Sequence, residues 1–278
     1  MQKINYPLIV SDFDGTLVRE DGTISLTNKQ AIEEYIKNGG HFAISTGRLH
    51  YGILPRTREL GLKGVVSCCQ GSVIVDIQSG KPILDGALSY ETTLKACLEM
   101  EKLGLHIHLY CFDCYYANQD DDALKWYENA VRHQAELVTD RPLSKLVMEK
   151  KLRAYKLLAI VPPSDASKIM QTLAQTHYDD GCVTKSADCL VEIINANYSK
   201  GTAVEFLAER YGVPMEKVIG VGDQINDIPM IQTAGLGIAV KNADDGLKAV
   251  ADKVLDYTNE QDAIAKIIAE YGYTEKEQ

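Results

Sequence analysis

An apolar run, Leu8-Ile9-Val10, leads into Asp12-Phe13-Asp14-Gly15-Thr16-Leu17. The run is short and Gly15-Thr16 ends it, so it reads as a buried strand. Two carboxylates, two residues apart, then stand at the C-terminal end of a strand, where open α/β sheets bind ligands. One carboxylate can attack as a nucleophile while the other transfers protons, and together they can seat a divalent cation. Asp and Gly are also ordinary turn residues, and a hydrated turn would account for the hexapeptide alone. Three later segments argue against so plain a reading.

The first is His41-Phe42-Ala43-Ile44-Ser45-Thr46-Gly47-Arg48, again an apolar strand running into small hydroxyl residues and a glycine. A hydroxyl there can donate to a phosphate oxygen, and Gly47 lets backbone approach closely. The second is Ser199-Lys200-Gly201-Thr202, ahead of an amphipathic helix. Lys200 supplies a compact cation near an anion site, although a single lysine is more often an exposed residue. The third is Val218-Ile219-Gly220-Val221-Gly222-Asp223-Gln224-Ile225-Asn226-Asp227. A strand ends at Gly222, and Asp223 and Asp227 follow four residues apart. Asp and Asn cap helices well, but four acidic groups at strand ends repel one another without a cation. Oxygen ligands at this density suit Mg²⁺.

In this order the motifs resemble those of the haloacid dehalogenase superfamily of phosphotransferases: Asp12-Phe13-Asp14-Gly15-Thr16, Thr46, Lys200, then Gly222-Asp223 with Asn226-Asp227. Within it, from Leu8 to the C-terminal helix, the chain is similar to the Cof-type hydrolases. It departs from their usual pattern at Gln70-Gly71-Ser72 and Lys241-Asn242-Ala243. The resemblance implies that Asp12 forms an aspartyl-phosphate. Asp14 then protonates the leaving oxygen and later activates water. It implies Mg²⁺ held by the Asp12 carboxylate, the Asp14 carbonyl and Asp223, with Asp227 orienting that shell or Lys200. Thr46, Gly47, Arg48, Lys200 and Asn226 are the implied substrate contacts. Asp14 favours hydrolysis or phosphomutation, because related cation pumps carry Thr there and hydrolyse slowly. The expected activity is a Mg²⁺-dependent phosphatase of a small phosphorylated metabolite, a sugar phosphate or similar phosphomonoester. The alternatives are a phosphohexomutase-like phosphotransferase and a non-catalytic protein that binds a phosphometabolite.

The 278 residues carry a net charge of −10, which argues against nucleic-acid and anionic-membrane partners. The chain has no apolar stretch of about 18 residues, and Leu8-Ile9-Val10 is too short for a signal peptide. Seven cysteines, an odd number, read as reduced thiols of a cytoplasmic protein. Cys111-Phe112-Asp113-Cys114 has metal or redox spacing, but within a single strand from His106 to Ala117 the two thiols would face opposite sides. His106 and His108 share one strand face and are expected at the surface or in a cap.

Strands are expected near 8–12, 41–46, 63–69, 218–222 and 236–240, and helices near 27–38, 201–211, 227–234, 244–250 and 260–271. This alternation implies a doubly wound, Rossmann-like parallel sheet. Val18 to Thr23 reads as a hairpin flap on an Asp-Gly turn. Residues 84–195 separate the second and third motifs and carry their own strands (106–117, 154–161, 189–194) and helices (91–103, 121–133, 164–176). The expected organisation is a discontinuous catalytic core, 1–83 and 196–278, with an inserted α/β cap, 84–195, that sets specificity. Hinges are expected near Pro82–Leu88 and Asn195–Ser199, and a frayed tail from Thr274.

Overall fold

The structure is a computed structural model and describes residues 3–131 and 133–274. The polar tail expected to fray lies, beyond Thr274, outside the described residues. Two compact units form. One joins Met1–Leu84 to Tyr198–Gln278, and the other is Asp85–Asn197.

The first unit is built on a five-stranded parallel sheet. Its order is Lys253–Val254, Leu236–Ala239, Val218–Gly222, Leu8–Ser11, His41–Ile44. All four residues of Leu8–Ser11 are buried, as a central strand flanked on both edges must be. The pleat divides them. Leu8 and Val10 pack with Ala203, Val204 and Leu207 of the helix Lys200–Tyr211 and with Met230 of the helix Ile228–Thr233. Ile9 and Ser11 turn to the opposite face. The helices Leu26–Lys37 and Ala263–Ile267 pack on each other. The outcome is the doubly wound α/β arrangement.

Three elements differ from the expectation. Val65–Cys68 is not a further parallel strand; it opens an antiparallel sheet with Val73–Asp76 and Pro82–Asp85. A single parallel bridge, Ser45 to Ser67, links it to the main sheet. The helix His50–Glu59 was not expected: Pro55 interrupts it and Leu49 offers no side-chain cap. Val18–Thr23 is a turn and not a two-stranded flap. Arg19 N donates to Thr23 O and Gly22 N to Arg19 O, each at 2.9 Å. The turn is tied down by Arg19–Asp262 at 3.0 Å and by Asn259 Nδ2 donating to Val18 O at 2.8 Å.

The second unit is a six-stranded sheet ordered Gly181–Ala187, Leu190–Asn195, Lys156–Ile160, His106–Tyr110, Tyr115–Ala117, Glu136–Leu137. Ile107 and Leu109 face a core shared with the helices Tyr90–Lys102, Leu143–Lys150 and Pro163–Ala174. The expected single strand 106–117 is in fact a hairpin. Cys111 N donates to Cys114 O across its turn, so the two cysteines stand opposite each other instead of on opposite faces. All seven cysteines are free.

His106, His108 and Tyr110 take the other face of their strand, but the histidines are not surface residues. They are 6% and 0% exposed. His106 Nδ1 meets Asp121 Oδ2 at 3.1 Å, and the two Nε2 atoms face each other at 3.1 Å. Only one of those facing nitrogens can carry a proton. The rings of Tyr115 and Tyr127 enclose His108, with centroids 5.2 and 4.8 Å away. Burial, with His106 and Lys156 nearby, pushes His108 down from 6.5 to about 3. Burial lowers His106 too, although Asp121 opposes it.

The unfolded chain therefore binds a proton below pH 6.5 that folded His108 refuses. The contribution of His108 to stability should fall as pH drops from about 6.5 towards 3, by about 1.4 kcal/mol per unit while only the unfolded imidazole is protonated. Urea unfolding followed by the single tryptophan, Trp126, reads this unit directly. His108→Gln should flatten the dependence, and an unchanged slope in that variant would contradict the assignment.

Candidate active site

The strand Leu8–Ser11 ends where Asp12 N donates to Val221 O at 2.8 Å, so the first carboxylate is held by its neighbour strand. Gly15 follows with φ +80°, and a Cβ there would lie 2.4 Å from Asp223 Oδ2. Only glycine both makes this turn and lets the loop lie against Asp223.

Lys200 begins its helix, yet it is 1% exposed. Its Nζ donates to Asp12 Oδ1 and Asp227 Oδ1, each at 2.5 Å. A cation at a helix N-terminus has the wrong sign for the dipole, and the two carboxylates offset that. The helix start is set by a capping box: Ser199 Oγ accepts from Thr202 N, and Thr202 Oγ1 from Ser199 N. Burial pulls Lys200 down, but Asp12 and Asp227 more than reverse this and hold it charged. Burial pushes Asp12 well up; Lys200 opposes the shift, while Asp227 and Asp223 add to it.

Asp223 Oδ1 accepts from Thr16 Oγ1 at 2.7 Å and its Oδ2 from Gln224 Nε2 at 3.1 Å. Burial raises this carboxyl also, with Thr16 opposing. Asp227 divides its oxygens: Oδ1 takes Lys200, and Oδ2 takes the backbone N–H groups of Asp223 and Gln224 at 2.9 and 3.0 Å. At Gly222 a Cβ would lie 2.5 Å from the Asp227 Cβ, so the turn needs a residue without one.

Thr46 is buried, and its Oγ1 accepts from Arg48 N at 3.2 Å. Arg48 reaches Asp14 with two bonds, Nε to Oδ2 at 2.6 Å and NH2 to Oδ1 at 2.8 Å. Gly47 lies against Gln70, whose Nε2 would be 2.7 Å from a Cβ there. Gln70 Oε1 accepts from exposed Asn226 Nδ2 at 3.1 Å. Cys69 and Gln70 both take positive φ, 48° and 59°, which non-glycine residues rarely adopt.

The predicted residues thus fall into two linked groups: Asp12–Lys200–Asp227 with Asp223, and Asp14–Arg48 with Thr46. Asn226 joins Gln70 instead. Thr16 and Asn242 had no predicted role, and Gln70 was expected only to line the substrate pocket. Thr16 holds Asp223. Asn242 donates to Gly15 O at 2.8 Å and accepts from Asn259 N. Gln70 spans the loops of Gly47 and Asn226. Thr16 sat inside the first motif; Gln70 and Asn242 were visible only as departures from a family pattern.

Asp12, Asp223 and Asp227 each present an oxygen within 4.8 Å of the others and could hold a metal ion. The electrostatics fit one. Three buried carboxylates meet a single ammonium, which leaves two negative charges uncompensated, and burial raises both Asp12 and Asp223. A divalent cation with hard-oxygen preference matches that excess.

The chain belongs to the haloacid dehalogenase-like hydrolases, whose family model matches residues 9–268. It is a phosphatase of that family, a phosphoric monoester hydrolase. It is 26% identical to the phosphatase YwpJ of Bacillus subtilis, across 94% of this chain and 98% of the relative. It is 28% identical to the pyridoxal phosphate phosphatase YbhA of Escherichia coli, across 94% and 97%. Among solved structures it is similar to TM0651 of Thermotoga maritima, with TM-score 0.85, 26% identity and coverage of 97% and 98%. No helix among the described residues is long and apolar enough to cross a membrane.

Proposed function

We propose that the protein is a Mg²⁺-dependent phosphatase that hydrolyses a small phosphorylated metabolite through an aspartyl-phosphate on Asp12. The observation that carries this reading is Asp12 itself: a buried carboxylate at a strand end, gripped by Lys200 and grouped with two further carboxylates. Asp12, the Asp14 carbonyl and Asp223 would hold Mg²⁺, with Asp227 fixing Lys200 beside them. The ion would neutralise negative charge on the phosphoryl oxygens and polarise them.

Asp12 attacks phosphorus in line, and a P–O bond to Asp12 forms as the bond to the leaving oxygen breaks. That oxygen takes the proton of Asp14. Asp14, now a carboxylate, accepts a proton from the water that attacks the phosphorus, and Asp12 and phosphate separate. Thr46 and Lys200 hold the phosphoryl oxygens, with Gly47 and Asn226 beside them. Such contacts serve any phosphomonoester, so we assign discrimination among substrates to the inserted segment 84–195. The free cysteines suit a reducing compartment, the cytoplasm.

The test is hydrolysis of p-nitrophenyl phosphate and of a panel of sugar phosphates. EDTA should abolish phosphate release and Mg²⁺ should restore it. Full activity in exhaustively chelated buffer would overturn the metal assignment, and absence of hydrolysis across the panel would overturn the activity.

A further inference from the structure

We propose that Arg48 is a positioning residue for Asp14: its guanidinium sets the carboxyl group that passes a proton to the leaving oxygen, and it is not primarily a ligand of the transferring phosphoryl group. The inference rests on the reading of Asp14 as the acid.

The Asp14 side chain is half exposed, at 50%. Left alone, such a carboxyl group samples several rotamers, and proton transfer needs it held within hydrogen-bond reach of one oxygen. Arg48 supplies the restraint. Two parallel N–H donors, at 2.6 and 2.8 Å, fix the plane of the carboxylate as well as its place. Arg48 is itself held from three sides. Its N–H donates to Thr46 Oγ1, its carbonyl accepts from Cys69 N at 2.9 Å, and its guanidinium carbon lies 5.8 Å from the centre of the Phe13 ring. The anchoring segment Cys69-Gln70 is the one place in the unit where two consecutive non-glycine residues take positive φ among the described residues. Strain of this kind persists where surrounding structure enforces it and gathers at functional sites.

Both Asp14 oxygens accept from Arg48 in this structure. During the reaction one of them leaves the guanidinium, takes a proton from solvent, to which the half-exposed group is open, and turns to the leaving oxygen, while the other stays on the guanidinium. As the P–O bond breaks, the proton passes from Asp14 to the leaving oxygen, and the carboxylate that results returns to its two-bonded pair. Lysine, a point charge without the planar fork, cannot fix the carboxyl plane.

Acid assistance matters most for poor leaving groups, and this separates positioning from phosphate binding. The measurement is kcat/KM of the full-length enzyme over a series of aryl phosphates and an alkyl phosphate, plotted against leaving-group pKa. Asp14→Asn should steepen the plot. Arg48→Ala should steepen it in the same sense, losing on the order of 10- to 100-fold on the alkyl phosphate and far less on p-nitrophenyl phosphate. Arg48→Lys should fall between. In an Asp14→Asn background, Arg48→Ala should add little. A parallel downward shift from Arg48→Ala, carried by KM alike for every substrate, would make Arg48 a phosphate ligand and overturn the inference, as would no change at all. If Asp14→Asn left the slope unaltered, the acid assignment would fall and this inference with it; steepening by Asp14→Asn alone would sink only the role of Arg48.

Discussion

Asp12→Asn should abolish turnover, by a factor on the order of 10⁴ or more, in a protein that still folds. An amide oxygen at this place cannot form the covalent phosphoryl bond, and no neighbour is placed to substitute for it. Asp223 is occupied by Thr16 and Gln224, and Asp227 by Lys200 and two backbone N–H groups. The same substitution should not lower stability. It removes one negative charge from a buried group that already carries too many, and burial raises the Asp12 carboxyl in the first place. Loss of activity with stability kept or gained, read by phosphate release and urea unfolding, is the expected pair of results. A folded Asp12→Asn enzyme with substantial activity would remove Asp12 from the chemistry.

Lys200→Met should do the reverse to stability. The Lys200 ammonium bridges Asp12 and Asp227, both buried. Removing one partner of such a group leaves charges buried and unpaired, at a cost of about 3–5 kcal/mol. The deficit should shrink as pH falls. Without Lys200 the folded value of Asp12 rises further above its unfolded one, so protonation favours the folded state and stability returns at acid pH. Wild type should show a smaller gain of this kind, because Lys200 already lowers Asp12 against burial. Chemical denaturation of both proteins at pH 5 and pH 8 measures the difference. Equal stability of variant and wild type at pH 8 would show that Lys200 does not carry this electrostatic load.

The contrast between these two substitutions shows why the site reads so clearly from sequence. Its chemistry sits on strand ends, and strand ends are marked by a change from an apolar run to Asp, Ser, Thr and Gly. Leu8–Ser11, His41–Ile44 and Val218–Gly222 all announce themselves this way. What the pattern does not reveal is pairing. Val65–Cys68 has the same apolar composition as its parallel neighbours, yet it pairs antiparallel, because a tight segment with positive φ at Cys69, Gln70 and Gly71 turns the chain straight back. The helix His50–Glu59 hides behind Pro55 for a similar reason: packing overrides a local signal.

Side-chain partners are harder still. The burial of Lys200 contradicts the ordinary expectation for lysine, and only its order among the motifs pointed to it. His106 and His108 are buried where alternation predicts a surface, because alternation alone cannot tell a solvated sheet face from one covered by Tyr115 of the neighbouring strand and Tyr127 of the helix Asp122–Val131. The Arg48–Asp14 pair joins residues 34 positions apart, and no spacing rule connects them.

The most direct test of the account is to find where the phosphoryl group goes. Asp14→Asn enzyme, mixed rapidly with p-nitrophenyl phosphate and quenched in acid, should hold an intermediate, since this leaving group needs little protonation while the attacking water still needs a base. Mass spectrometry of the digested protein should place one phosphoryl group on the peptide that carries Asp12, at Asp12 itself. A phosphoryl group trapped on a serine, threonine or histidine, or steady hydrolysis with no phosphorylated enzyme at any time, would contradict the account.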